Sequence, residues 1–185
     1  DVTVILNALR ALRGRPGARV PLPVDTEKLL HRFATEHDQL RDSIGLIRES
    51  ADQLVAGPDG RALEAVTAAY ALLNEQILPH ERAEETELYP ALAAPLQSGE
   101  ATATMSRTHS EIQRLAERIG RHVQMAQDSG GIQPDQVDDL LACLYGLYAL
   151  LRLHFLQEEE NYFTLAPEDD SQGLRSLAPT RRSMA

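Results

Sequence analysis

The chain has 185 residues, of which 43% are hydrophobic, 25% charged and 4% aromatic, enough for one domain with a sizeable core. Its net charge of −10 argues against a nucleic-acid partner, because nucleic acids select basic surfaces. The single cysteine, Cys143, excludes an intrachain disulfide, and no run of about 18 apolar residues forms a complete membrane span. This composition predicts a soluble, helical, cytoplasmic domain.

The first 24 residues differ in composition from the rest of the chain. Val2 to Leu12 is nearly apolar, and arginines, prolines and glycines follow it. This order is typical of the cytoplasmic end of a transmembrane helix that continues into a linker, although a short amphipathic helix or an arbitrary chain boundary gives the same pattern. A signal peptide is disfavoured because the positive charges follow the apolar run.

Residues 25–166 divide into four long segments, which are separated by turn-forming clusters at 57–60, 94–99 and 129–134. Apolar residues recur three and four apart in each segment, which predicts amphipathic helices. Because short connections make consecutive helices antiparallel, we expect an all-α, up-down-up-down four-helix bundle. Pro79 predicts a kink or a loosened turn near Leu78. Residues 167–185 show no apolar periodicity and are expected to form a disordered tail.

The predicted core-facing stripes carry six ionisable residues. Each stripe has one histidine, and two stripes also have a glutamate four residues later: His37, His80 with Glu84, His109, and His154 with Glu158. The stripe that carries His80 and Glu84 is also predicted to include Leu63 and Tyr70. A lone core histidine is more often satisfied by a hydrogen bond than bound to a metal. Six ionisable groups together favour a metal site, because burying them is costly unless they are paired or metal-bound.

The spacing of these residues suits one shared centre. A histidine and a glutamate four residues apart face the same side of a helix, and the antiparallel order places all four histidines in one layer. Imidazole and carboxylate ligands suit iron, manganese or zinc, and two core carboxylates favour two metal ions. A bridged pair of six-coordinate ions would keep positions for water, dioxygen, peroxide or nitric oxide.

These residues resemble the hemerythrin-like, or HHE cation-binding, family over residues 25–166. The strings Leu78 to Glu85, Leu88 to Pro90 and His154 to Glu158 are similar to those of bacterial members. The resemblance implies a hemerythrin-like bundle that holds two iron ions with an oxo or hydroxo bridge. It implies terminal imidazole ligands at His37, His80, His109 and His154. It implies bridging carboxylates at Glu84 and Glu158.

The pattern departs from the dioxygen-carrying members in two places. Those carriers have a His-x-x-x-His pair on the third helix, whereas here Met105 stands four residues before His109. Their last carboxylate comes five residues after its histidine, which would select Glu159. Helical geometry favours Glu158, because a residue at i+5 is rotated about 140° away. Glu81 corresponds to a supplementary ligand of some iron-sensing members.

The first ten residues are similar to the end of the last membrane helix of heavy-metal-transporting P-type ATPases, where an apolar run closes with Asn-x-Leu-Arg. Some of those pumps are followed by a hemerythrin-like domain. The similarity implies that residues 25–166 form the cytoplasmic carboxyl-terminal domain of a membrane metal transporter, joined to it by residues 13–24.

Four functions are compatible with these residues. We expect foremost a di-iron domain that binds dioxygen or senses redox or iron status and regulates an attached transporter. The alternative is a di-iron peroxidase or catalase acting on hydrogen peroxide. An iron store is disfavoured because one centre in 20.4 kDa stores little iron. A structural zinc site is disfavoured by the two core carboxylates.

Overall fold

Four long helical segments pack side by side in the computed structural model, which describes residues 22–98 and 100–166. Each segment contacts its neighbours in chain order, and the fourth also packs against the first. The predicted all-α four-helix bundle is therefore confirmed, with no strand within the described ranges. The residues predicted as a membrane-helix end and most of the linker, 1–21, and the predicted tail, 167–185, lie outside the described residues.

The helices have the following bounds. The first bundle helix consists of α1 (Val24–Ser43) and α2 (Gly45–Ala56). The second consists of α3 (Gly60–Leu72), α4 (Leu78–Ala83) and α5 (Tyr89–Ala93), joined by π-helical turns at Leu73–Ile77 and Glu84–Leu88. The third is α6 (Ala103–Ser129), and the fourth is α7 (Pro134–Asn161), which a 3-10 turn at Phe163–Leu165 follows.

Local signals in the sequence fix several of the helix ends. The Asp59 carboxylate accepts hydrogen bonds from two backbone N–H groups in the first turn of α3, which satisfies donors that have no partner within the helix. Gly130 ends α6 with a φ of 78°, a left-handed conformation that favours glycine. Gln133 and Gln136 form a capping box at the start of α7.

The two π-helical turns lie next to prolines in the second bundle helix. Pro79 and Pro90 each stand two residues after a π-helical turn. Proline has no N–H to donate and its ring clashes with the carbonyl four residues earlier, so a wider turn before it relieves the conflict. The loosened turn predicted near Leu78 is therefore confirmed. The π-helical turn at Leu73–Ile77 adds one residue to the helical repeat. As a result, different residues face the core before the turn than a regular repeat would place there.

This added residue explains where the predicted second stripe is wrong. Leu63 and Tyr70 are only partly buried, and Ala62 and Ala69 occupy the core positions instead. A regular repeat extended backwards from His80 crosses the π-helical turn and shifts by one residue.

The apolar core is split into two clusters by a polar layer. One cluster lies towards α2, α3 and the start of α7, and includes Ile47, Ile119 and Leu144. The other lies towards the opposite end and includes Phe33 and Leu92. The predicted ligand residues lie between the two clusters, so the apolar side chains above and below keep water away from them.

The fourth bundle helix is apolar on more than its core face. The segment Pro134–Leu165 is long and apolar enough to cross a membrane by length and composition alone. In the bundle this helix packs against the first and third bundle helices and contributes buried leucines to the core. The bundle buries 39% of the most apolar window of this helix, so its place in the core accounts for part of its hydropathy.

Candidate metal centre

Seven buried ionisable side chains meet in the polar layer, and we call them the inner cluster. α1 and α6 each supply one histidine, the second bundle helix supplies three residues and α7 supplies two. None of the seven side chains is more than 8% exposed. They are His37, His80, Glu81, Glu84, His109, His154 and Glu158. The structure thus brings together all six residues named as ligands from the sequence, and adds Glu81, which was considered as a supplementary ligand.

The inner cluster contains two groups of potential metal ligands. The first subsite consists of His37, His80 and Glu84. The second subsite consists of Glu81, Glu84, His109 and His154. Within each subsite, one ligand atom from every residue lies within 4.8 Å of the others. Glu84 belongs to both subsites, so the arrangement suits two neighbouring cations.

The two carboxylate oxygens of Glu84 face different subsites. Glu84 Oε1 lies 3.4 Å from His37 Nε2 and 3.1 Å from His80 Nε2. Glu84 Oε2 lies 3.4 Å from His109 Nε2. A carboxylate that offers one oxygen to each of two cations is a bridging ligand, and this geometry fits that role.

Glu158 also lies between the subsites, whereas Glu159 lies outside them. Glu158 Oε2 is 3.3 Å from His37 Nε2 and 3.3 Å from His154 Nε2. Glu159 Oε1 is 3.6 Å from the outer nitrogen of His37 and 2.7 Å from the Arg41 guanidinium. The residue four positions after His154 therefore faces inward, and the residue five positions after it does not.

Glu81 stands beside the two histidines of the second subsite. Its Oε2 lies 2.6 Å from His109 Nε2 and 3.5 Å from His154 Nε2, and the two imidazole nitrogens are 2.9 Å apart. His80, Glu81 and Glu84 all face inward from little more than one turn. The π-helical turns on either side of α4 widen this part of the helix.

The inner cluster has polar atoms that the protein itself does not satisfy. Nine buried side-chain nitrogen and oxygen atoms in the described residues have no hydrogen-bond partner, and all nine belong to this cluster. Buried polar atoms without partners are costly and rare in folded proteins. Seven of the nine are carboxylate oxygens or imidazole Nε2 atoms, and cations among their lone pairs would satisfy them. Mixed imidazole and carboxylate donors suit iron, manganese or zinc. The residues therefore fit a pair of metal ions.

Two glutamates outside the inner cluster orient its histidines. Glu36 Oε2 lies 2.8 Å from His80 Nδ1, and Glu85 Oε1 lies 2.8 Å from His109 Nδ1. A carboxylate on the outer nitrogen fixes the ring so that Nε2 points inward, the usual arrangement for a metal-binding histidine. The helical repeat predicts neither Glu36 nor Glu85, because both lie off the core-facing stripes. The available signal was that each directly precedes or follows a predicted ligand.

Of three tyrosines near the predicted stripes, Tyr89 reaches the inner cluster. Its hydroxyl donates a short hydrogen bond to Glu158, and its ring stacks on His109 at 5.4 Å between centroids. Burial and the nearby Glu158 carboxylate raise the pKa of Tyr89 strongly, so the phenol keeps its proton. Tyr162 instead donates to a backbone carbonyl, and Tyr70 is part of the partly buried edge of the larger apolar cluster.

The carboxylates hold protons on His37 and His109 when no metal is bound. Burial lowers the pKa of His37, but Glu158 and Glu84 outweigh burial and raise it to about 9. Burial likewise lowers the pKa of His109, but Glu81 and Glu84 raise it to about 11. Burial raises the pKa of Glu84, but the surrounding histidines outweigh burial and hold it well below its usual value.

A sequence model of the hemerythrin HHE cation-binding domain matches residues 28–166. The chain belongs to this family. No curated protein and no solved structure matches the chain. The matched residues include the whole inner cluster, so the hemerythrin HHE cation-binding domain and the buried ligands agree on a metal-binding function. The match begins at residue 28. It does not include residues 1–10, the segment similar to the end of a P-type ATPase membrane helix.

The metal-free protein should lose stability as the pH rises from 6.5 to 9.5. The folded-state pKa values of His37 and His109 lie above the ordinary value of 6.5. Their contribution is therefore fully present below about pH 6.5 and is lost as the pH rises through about 9 and then about 11. Urea unfolding of the metal-free protein at several pH values measures this change.

The matched control is the exposed His31, which lies outside the inner cluster. A His31→Gln variant should keep the same pH profile as the natural chain, whereas His37→Gln should make it less steep, because only His109 then contributes. A free energy of unfolding that stays constant or rises between pH 6.5 and 9.5 would contradict the charge state described here.

Proposed function

We propose that this hemerythrin HHE domain holds two iron ions with an oxo or hydroxo bridge, binds dioxygen or a related small ligand, and senses redox or iron status. The observation that carries the proposal is the position of Glu84, whose two oxygens belong to different subsites. Glu158, in contact with a histidine from each subsite, supports a second bridge. Iron in such a site supplies a reversible change of oxidation state and an affinity for dioxygen, peroxide or nitric oxide.

The donor set supports sensing over reversible dioxygen carriage. The third bundle helix contributes a single imidazole, that of His109. Four residues earlier stands Met105 in place of a second histidine, and it lies buried in the smaller apolar cluster. The second subsite has the carboxylate of Glu81 beside its histidines instead. An anionic oxygen donor favours the more highly charged ferric state, since the attraction grows with the charge of the cation. Iron held here would therefore oxidise readily, which suits a domain that reports oxidising conditions.

The protein environment would limit the access of water to the centre along the bundle. Apolar clusters lie on both sides of the polar layer, and Phe155 packs on His37 with 4.2 Å between ring centroids. Tyr89 holds Glu158 through its hydroxyl proton. Together these contacts restrict the ligands to small molecules and fix the carboxylate that would bridge the ions.

The iron content of the natural chain and of a Glu84→Gln variant tests this proposal. We expect about two iron ions per chain in the natural protein, and fewer than about one in the variant, because the amide cannot offer an anionic oxygen to each subsite. Metal analysis together with the near-ultraviolet spectrum gives the result. The control Glu159→Gln should retain both ions. Equal iron content in Glu84→Gln and the natural chain would contradict the shared-ligand site.

We further propose that the domain passes its state to an attached P-type ATPase through residues 13–24. Two observations support this: the sequence similarity of the first ten residues, and the position of His37 on α1. His37 lies about 20 Å along the helix from its start at Val24, at 1.5 Å per residue. A change of charge at the first subsite would act on α1 and therefore on the residues that precede it.

Limited trypsin cleavage at the linker arginines tests this coupling. We expect cleavage after Arg13 and Arg19 to change severalfold between the oxidised and reduced iron-loaded protein, whereas Arg15 is not a cleavage site because Pro16 follows it. Cleavage after Arg175, at the other end of the chain, serves as the internal control and should not change. Identical cleavage rates at the linker in both states would contradict the coupling.

A peroxidase or catalase function is the second candidate, and the position of Tyr89 favours it. The buried phenol keeps its proton beside the inner cluster, and a peroxide that took the place of Glu158 at this hydroxyl would meet a hydrogen-bond donor. If the domain is a sensor, as we propose, the iron-loaded protein bleaches on reduction, regains its colour in air and consumes little peroxide.

Rapid peroxide consumption would instead favour the enzyme. In that case a Tyr89→Phe variant should lose roughly a hundredfold in rate, the usual contribution of a positioned proton donor. Tyr162→Phe is the matched control, because that hydroxyl bonds to the Ala101 carbonyl outside the inner cluster. An oxygen electrode measures the catalase reaction directly.

A further inference from the structure

A surface cavity between the second and third bundle helices reaches the second subsite. It has a volume of about 250 Å³, and its wall includes the ligand residues Glu81 and His109. Glu85, Ser106 and Ser110 complete its polar side, and we call it the Glu85 cavity. Glu81 Oε2 faces His109, whereas Glu81 Oε1 is buried with neither a hydrogen bond nor an ion pair. A polar opening thus leads directly to an unsatisfied carboxylate.

The carboxylates along this path become progressively more buried. The side chain of Glu85 is 36% exposed, that of Glu81 is 4% exposed, and that of Glu84 is fully buried. Glu85 and Glu81 are four residues apart and share one face of the second bundle helix. The Ser106 hydroxyl donates to Glu85 at 3.0 Å and adds an oxygen beside it. Oxygen donors of this kind replace water around hard divalent cations.

Two other cavities near the inner cluster have a different character. The one beside His80 contains Glu36, which contacts the outer nitrogen of His80 as Glu85 contacts that of His109. Glu36 differs in that Arg32 also pairs with it, at 2.9 Å. The one beside Phe155 has arginines in its wall, and the Phe155 ring stands between it and His37. Neither offers a cation an unsatisfied carboxylate.

We propose that the Glu85 cavity is the route by which a hydrated divalent cation reaches the second subsite. Glu85, Glu81 and Glu84 would bind it in turn and replace its water molecules one after another. The acidic net charge of the chain would draw cations towards it. This inference rests on the proposed two-metal site, since it describes how that site is filled. Arg82, which also lines the cavity, opposes the incoming charge.

The test measures how fast the metal-free full chain takes up Co²⁺, followed by its visible absorption after rapid mixing. Ser110→Trp places a large side chain at an exposed position in the cavity wall and should slow uptake at least severalfold. Arg82→Gln should accelerate uptake, by about fivefold at low ionic strength, because one opposing charge near a divalent cation is removed. Gln39→Trp, at an exposed position in the cavity beside His80, is the matched control and should not change the rate.

The final amount of bound Co²⁺ separates this proposal from the two-metal site itself. Every variant should reach the same endpoint as the natural chain, because none of the three positions is in the inner cluster. If the natural chain binds no Co²⁺, the two-metal site fails and the route fails with it. If the endpoint is normal but Ser110→Trp and Arg82→Gln leave the rate unchanged, or Gln39→Trp slows it instead, the route alone is wrong.

Discussion

The structure depends on the charge balance of the polar layer in the middle of an apolar bundle. Three carboxylates and four imidazoles are buried between two hydrophobic clusters, at a cost that no apolar packing recovers. Positive charge must accompany the carboxylates. In the metal-free chain protons on His37 and His109 supply it, because the carboxylates raise the pKa of both residues. Metal ions would supply it in the loaded protein, so protons and metal compete for the same carboxylates.

The second bundle helix makes this layer possible. Its two π-helical turns flank α4, and each precedes a proline that a regular helix would not accommodate easily. The wider turns let His80, Glu81 and Glu84 all face inward, so one helix supplies ligands to both subsites. The two subsites have two histidines each, and this helix makes them unequal by adding the carboxylate of Glu81 to the second.

Much of this arrangement was accessible from the sequence, because helical periodicity is a strong signal. The stripe that carries His109 on α6 is regular, and its neighbours Ile112 and Ala116 are buried as a repeat of three and four predicts. The signal failed at Ala62 and Ala69, since nothing in a regular repeat reveals the residue that a π-helical turn adds. Glu36 and Glu85 were missed because an orienting carboxylate lies off the core stripe and its role depends on contacts between helices.

The central claim is that two cations share Glu84. Crystals of the iron-loaded protein, measured at the iron absorption edge, would test it most directly, because anomalous scattering locates iron independently of any assumption about the ligands. The account predicts two anomalous peaks roughly 3.5 Å apart, as in other two-metal sites, with one oxygen of Glu84 directed at each. A single peak, or two peaks without Glu84 between them, would contradict it.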